Sequence, residues 1–174
     1  MLVTGGVRSG KSRHAEDLLA ERSDVTYLAA GPTYDDADWG ARVARHRARR
    51  PDTWRTEETL DVAGVVRAAD QEGRAVLVDC LGTWLTGLID RAQAWEAPVA
   101  DVEQVLDAAL APLVEALGSA RSPVVIVTNE VGFGVVPEHR SGRLFRDLLG
   151  SLNQQVASAC DEVHLVVAGR VLRL

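Results

Sequence analysis

Cysteine is scarce in this chain: Cys80 and Cys160 are the only two in 174 residues. Two thiols that far apart in sequence supply neither a disulfide framework nor the close pairing of a structural metal site, so a reducing, cytoplasmic setting is expected. Positive charge is in deficit too, with a formal net charge of −6, and aromatic residues make up 5% of the sequence. That balance excludes a surface built to coat nucleic acid or anionic lipid and leaves any phosphate binding to a local device. No run approaches the roughly 18 consecutive apolar residues of a membrane span. The opening Met1-Leu2-Val3-Thr4-Gly5-Gly6 has neither a basic n-region nor a cleavable apolar run, so no targeting segment is expected. Internal repeats, low-complexity tracts and linker-like stretches are missing. A chain of 174 residues, 47% of them apolar, is enough for one core and short for two, which gives one domain over 1–174.

What the sequence does contain is a series of short apolar runs: Met1 to Thr4, Val25 to Ala30, Ala75 to Asp79, Val124 to Thr128 and Val163 to Ala168. Continuous Val/Ile/Leu runs of this length, with longer segments between them, predict strands buried on both faces and hence a mostly parallel sheet between helices. Val102, Val105, Leu106, Ala109, Leu113 and Leu117 share one stripe at the helical period, as do Leu144, Leu148, Leu152 and Val156, which predicts two helices. Ala168-Gly169-Arg170 separates two apolar runs, and Gly169 can supply a positive φ, so the last strand is expected to fold back antiparallel. Pro51 ends one helix; Asp52 to Glu58 reads as an irregular or short-strand connection, and Ala92 to Pro98 as a loop.

Gly5-Gly6-Val7-Arg8-Ser9-Gly10-Lys11-Ser12 satisfies G-x-x-x-x-G-K-S/T, directly after an apolar strand and before a helix-compatible run. Glycines let backbone N–H groups turn onto a phosphate, and the helix N-terminus adds partial positive charge. Lys11 then reaches the β- and γ-phosphates, and Ser12 can ligate Mg²⁺. The bland alternative is a glycine-rich turn. Asp79 closes the run Ala75 to Val78, so its carboxylate is expected at the carboxyl end of a central strand, where open α/β sheets bind ligands. There it can hold Mg²⁺ or orient an acceptor hydroxyl; the alternative is a helix N-cap for the segment beginning near Leu81.

Asp36 to Arg50 reads as a helix, acidic at its start, arginine-rich at its end and stopped by Pro51. Trp39, Val43 and His46 fall on one face, with Arg42 and Arg50 flanking His46 at four-residue spacing; Arg45, Arg47 and Arg49 complete the cationic cluster. An unperturbed imidazole, with pKa near ~6.5, is largely neutral at cytoplasmic pH and therefore nucleophilic without a dedicated base. Spacing alone does not single out this site, because an arginine-rich helix is usually a solvated face and a lone histidine usually structural. Of the other histidines, His14 is expected on the exposed side of the first helix, His139 in a loop, and His164 packed in an apolar strand.

Taken together, GGVRSGKS at Gly5 to Ser12, Tyr27-Leu28-Ala29-Ala30, Arg42-Val43-Ala44-Arg45-His46-Arg47, Trp54-Arg55-Thr56, Val78-Asp79-Cys80-Leu81, Thr128-Asn129-Glu130-Val131-Gly132 and Asn153-Gln154 resemble the bifunctional adenosylcobinamide kinase / adenosylcobinamide-phosphate guanylyltransferase family, from the first strand to the last. The resemblance implies a RecA-like P-loop NTPase fold, an α/β fold with a mostly parallel sheet, an antiparallel edge and helices on both faces. It also implies two steps. ATP or GTP phosphorylates adenosylcobinamide; GTP then guanylylates an enzyme histidine, matched by His46, and GMP passes to adenosylcobinamide phosphate to give adenosyl-GDP-cobinamide. The implied catalytic residues are His46, Lys11 and Asp79. Nucleotide contacts carry over onto Gly5, Gly6, Val7, Arg8, Ser9, Gly10, Lys11 and Ser12, onto Ala30, Gly31 and Pro32, onto Arg47, Ala48, Arg49 and Arg50, and onto Glu58 and Asp79. Mg²⁺ is assigned to Ser12, with Asp79 as a further ligand, and a homotrimer without nucleic-acid partner or membrane span is implied. A carboxylate such as Glu58 can accept from the guanine N1–H and N2–H₂ pair, which adenine lacks; its alternative is a solvated loop charge. The segment Asn129 to Arg140, with Gly132 and Gly134, is expected to shape the acceptor site.

Other readings fit less well. A P-loop kinase of another small molecule would use His46 and the arginines without a covalent bond. A GTP switch would need N-K-x-D where this chain has Asn129-Glu130-Val131-Gly132. A RecA-type DNA motor lacks its basic loops and stacking aromatics here.

Overall fold

A computed structural model of the chain describes residues 1–31, 44, 47 and 50–174. Its strands are β1 (Leu2–Gly5), β2 (Val25–Ala29), β3 (Arg55–Glu58), β4 (Ala75–Asp79), β5 (Val124–Val127), β6 (Val163–Val167) and β7 (Arg170–Arg173). The helices among the described residues are α1 (Lys11–Asp17), α2 (Val62–Gln71), α3 (Leu81–Ala92), α4 (Val99–Ser119) and α5 (Arg140–Ser158). The strands form one sheet in the order β3-β2-β4-β5-β1-β6-β7. All neighbours run parallel except β6 and β7. The five apolar runs read from the sequence are strands to within about a residue at each end, as boundaries allow.

Alternation along each strand explains why those runs are continuously apolar. Val3, Val25, Tyr27, Ala75, Leu77, Val125, Val127 and Val166 face one side, where Ala15 and Leu19 cover them. Leu2, Leu28, Val76, Val78 and Ile126 face the other, where residues of α2, α3, α4 and α5 close the larger core. Successive side chains point to opposite faces, so a strand covered on both sides needs apolar residues at every position.

Three elements refine the sequence reading. The segment left as irregular or short strand contains β3, a parallel edge strand with the sequence Arg-Thr-Glu-Glu. An edge strand open to water on one side needs no apolar run, and charge there discourages further pairing. The β6–β7 hairpin turns through Ala168 at φ 50° and Gly169 at φ 73°, the left-handed pair that a two-residue hairpin requires. The N-cap of α3 is Cys80, whose backbone N–H donates to Thr83 Oγ1 at 3.3 Å. Helix capping therefore does not account for Asp79.

Candidate nucleotide site at the phosphate loop

The turn from β1 to α1 is shaped by glycines with different tasks. A Cβ on Gly5 would lie 2.4 Å from the Val166 carbonyl and 2.7 Å from Ser9 Oγ, so β1 can approach β6 this closely only without a side chain. Gly10, the N-cap of α1, sits at φ 98°, a conformation that costs glycine nothing and an L side chain much. Gly6 differs: it is exposed, and a Cβ there would meet nothing within 4 Å.

Hydrogen bonds hold the loop from inside and from both flanks. Ser9 N–H donates to the Gly6 carbonyl at 3.3 Å, and Lys11 N–H to Ser9 Oγ at 3.4 Å. From one side, Gly169 N–H donates to the Ser9 carbonyl at 2.8 Å; from the other, Glu130 N–H donates to the Gly5 carbonyl at 3.1 Å. Lys11, the only lysine in the sequence, is 6% exposed and folds its ammonium back to the Gly6 carbonyl at 3.2 Å. Ser12 follows, half-buried. A glycine-built turn at a helix start, with one ammonium folded back across it, is an arrangement that can receive an anion.

Asp79 ends β4 on the same face of the sheet as α1, two residues beyond Leu77. Tyr27 of β2 reaches along that face, and its hydroxyl donates to Asp79 Oδ2 at 3.2 Å. Burial, and then the Asp79 charge, push the phenol well above its ordinary pKa, so it stays a neutral donor. Over the Tyr27 ring lies Arg50, its guanidinium carbon 3.5 Å from the centroid; Arg50 Nη1 also approaches Thr56 Oγ1 at 3.5 Å. Glu58, exposed at the end of β3, pairs in register with Ala29. The next residues, Ala30 and Gly31, are fixed against α3: Thr83 Oγ1 lies 2.9 Å from both the Ala30 and Cys80 carbonyls. A Cβ on Gly31 would come within 2.5 Å of the Thr83 Cβ. The phosphate loop, Ala30–Gly31, Glu58 and Asp79 thus share the carboxyl edge of the parallel sheet.

After β5 the chain crosses the same edge. Thr128 Oγ1 donates to Asn153 Oδ1 at 2.6 Å, and Asn153 Nδ2 to the Asn129 carbonyl at 3.0 Å. Gly132 N–H donates to Glu130 Oε1 at 2.6 Å. At the far end Arg143 donates to the carbonyls of Pro137 and Glu138, and Arg140 to those of Trp95 and Ala97. Between these anchors the tip is apolar and in water: Phe133 is 86% exposed, Val135 93% and Val136 59%. A groove of about 480 Å³ between α4 and α5 is lined by none of the phosphate-loop residues.

The family model for cobinamide kinase / cobinamide phosphate guanyltransferase (CobU) matches residues 1–174. The chain belongs to this family. It is 42% identical to the bifunctional adenosylcobalamin biosynthesis protein CobU of Escherichia coli (strain K12) over 174 residues, which covers 97% of this chain and 96% of that protein. It is 43% identical to the bifunctional adenosylcobalamin biosynthesis protein CobP of Pseudomonas aeruginosa over 170 residues, 97% and 92% of the two chains. Among solved structures, a prototypical ATPase from the type III secretion system of pathogenic bacteria superposes with a TM-score of 0.59 at 14% identity. That match covers 94% of this chain and 50% of the other, so the chain spans half the length of that ATPase and shares its fold.

Several residues that the CobU resemblance singled out, His46, Pro32, Ala48 and Arg49, lie outside the described residues. So do Arg42, Arg45, Trp39 and Val43, and with them most of the expected helix from Asp36 to Arg50. Arg47 is described as helical and exposed. Among the described residues no cluster of three or more His, Cys, Asp and Glu is arranged to hold a metal, and no helix is long and apolar enough to cross a membrane.

One constellation in this CobU-family chain was not foreseen. His14 faces β6 rather than solvent: its Nε2 lies 2.8 Å from His164 Nδ1, and His164 Nε2 lies 3.2 Å from Glu162 Oε2. His164 is 1% exposed, so the pair is a polar strut between α1 and the sheet. Burial and the neighbouring His164 lower the His14 pKa. The pairing joins residues 150 positions apart and leaves no local periodic signal; a histidine inside an apolar strand was the only hint. His139 is exposed ahead of α5, as expected.

Proposed function

We propose that the chain phosphorylates adenosylcobinamide with ATP or GTP and then transfers GMP from GTP, through a histidine intermediate, to give adenosyl-GDP-cobinamide. The observation that carries this reading is the braced glycine-built turn of Gly5 to Ser12 beside Asp79, in a chain whose whole length matches the kinase/guanyltransferase family.

In the first transfer the nucleotide tail lies in the loop, its phosphate oxygens taking the amides of Gly6 to Ser12, with Val7 and Arg8 at the rim and Lys11 turned from the Gly6 carbonyl to the β- and γ-phosphates. The acceptor hydroxyl attacks the γ-phosphorus in line, the bond to the β–γ bridging oxygen breaks, and the nucleoside diphosphate leaves. The hydroxyl proton departs through Asp79 or its water. Positioning and charge neutralisation supply most of the acceleration in such transfers. Ser12 and Asp79 offer hydroxyl and carboxylate oxygens, the hard donors that suit Mg²⁺, and the ion when bound draws charge off the phosphates.

In the second transfer a His46 ring nitrogen attacks the α-phosphorus of GTP and pyrophosphate leaves. An oxygen of cobinamide phosphate then attacks the same phosphorus, the N–P bond breaks, and the imidazole is regenerated. Arg47 to Arg50 steady the phosphates. Ala30, Gly31 and Pro32 flank the nucleoside, and Glu58 accepts from the guanine N1–H and N2–H₂. The apolar tip at Phe133, Val135 and Val136 lies beside the acceptor. Residues 1–174 act as one catalytic domain, assembled as the homotrimer that the resemblance implies and working in the cytoplasm.

The test is turnover of adenosylcobinamide with ATP and with GTP by wild type and His46→Ala, together with labelling of the protein by GTP carrying a labelled α-phosphate. His46→Ala is expected to abolish labelling and GMP transfer while sparing much of the phosphorylation. Equal loss of both activities would contradict the role given to His46.

A further inference from the structure

Tyr27 contacts both halves of this machinery. In β2 it alternates with Thr26 and Leu28 and points to the α1 face. Its register partner in β4 is Leu77, which puts Asp79 on the same face, one side-chain step nearer the phosphate loop. The ring therefore lies between the Asp79 carboxylate, bonded by its hydroxyl at 3.2 Å, and the Arg50 guanidinium, stacked on it at 3.5 Å. Arg50 closes the arginine cluster and stands four residues beyond His46 in the sequence.

A buried tyrosine whose only task is to fill space can have its hydroxyl satisfied by a backbone carbonyl or by water. Here the partner is the acid at the phosphate loop. A bond to Oδ2 restricts rotation of that carboxylate, and with it the direction in which the other oxygen is presented. The stack on the ring face holds the long, rotamer-rich side chain of the half-buried Arg50 in one place, a cation–π contact that contributes at partly exposed sites as well.

We infer that Tyr27 is a positioning residue shared by the two transfers: its hydroxyl orients Asp79 for phosphoryl transfer, and its ring anchors Arg50 for nucleotidyl transfer from His46. The inference rests on the roles given above to Asp79 and His46. It separates into two parts because one substitution removes the hydroxyl and keeps the ring, whereas another removes both.

Tyr27→Phe is expected to lower kcat for phosphorylation about ten-fold, the worth of one hydrogen bond to a charged group, with KM for nucleotide and the rate of histidine labelling within about two-fold of wild type. Tyr27→Leu is expected to slow labelling about ten-fold as well. Against an Asp79→Asn background, Tyr27→Phe should cost nothing further, since the two side chains act as a unit. Thermal melts show which variants fold, and if Tyr27→Leu does not, the Phe variant and the double mutant decide. The inference is overturned if Tyr27→Phe leaves phosphorylation unchanged, slows both transfers equally, or adds fully to Asp79→Asn. It is overturned equally if a folded Tyr27→Leu labels at the wild-type rate. A wild-type protein that performs neither transfer sinks the functional reading itself, whereas active wild type with indifferent Tyr27 variants sinks only this inference.

Discussion

Gly169 donates its backbone N–H to the carbonyl of Ser9 at 2.8 Å, so the hairpin between the last two strands acts as a brace for the phosphate loop. Gly169 adopts φ 73° with nothing near its missing Cβ, and the constraint there is backbone conformation rather than space.

Gly169→Val should therefore strain the turn by about 1–2 kcal/mol, since a β-branched residue resists the left-handed region. Gly169→Asn, which tolerates that region, should be nearly silent. Calorimetric titration with GTP is expected to show weaker binding for the valine variant alone; equal affinities would mean that the brace is dispensable.

Gly5 and Gly6 should respond in opposite ways to the same methyl group. An added Cβ on Gly5 drives into the Val166 carbonyl, an overpacking expected to cost about 1–3 kcal/mol in urea denaturation. On Gly6 it meets open space, so stability should stay within about 0.5 kcal/mol. Yet the methyl occupies the volume proposed for phosphate, and nucleotide affinity should fall about ten-fold, the loss of one charge-assisted hydrogen bond.

Phe133 is exposed at the tip of the crossing loop, so Phe133→Ser should leave the melting temperature nearly unchanged. If the tip lies beside the acceptor, KM for adenosylcobinamide should rise several-fold while labelling by GTP alone is unaffected. A change in labelling without a change in acceptor KM would place the tip elsewhere.

His14 makes stability sensitive to acid. Its pKa is lowered from 6.5, first by burial and then by His164, with Arg173 acting in the same sense and Asp17 against it; Glu162 faces the pair through His164. The unfolded chain takes up the proton near its ordinary value and the folded chain only at lower pH. Between the two the unfolded state binds more protons, so this contribution is complete above about pH 6.5 and is lost as pH falls through the folded value. Urea denaturation of wild type and His14→Gln across that window should show a shallower loss on acidification in the variant. An unchanged slope would assign the sensitivity to other groups.

Much of this architecture was legible because burial on both faces forces Val, Ile and Leu into unbroken runs, and because a phosphate loop needs glycines and a lysine at fixed spacing. Asp79 was legible for the same reason, as a charge closing an apolar strand. β3 was legible only as one of two alternatives, an irregular or a short-strand connection, since Arg55 to Glu58 at an edge carries no apolar period. The links from Tyr27 to Asp79 and from His14 to His164 span 52 and 150 positions. They arise only when strand order brings distant segments together, and no window along the chain contains both partners.

The placement of Thr83 has one more result. A single hydroxyl, 2.9 Å from the carbonyl that follows β2 and from the carbonyl that follows Asp79, clips two neighbouring strand ends into one ledge. In the proposed site one end flanks the purine and the other carries the acid. Altering base preference by moving the first would drag the second, so selectivity and turnover are geared together and resist being re-engineered one at a time.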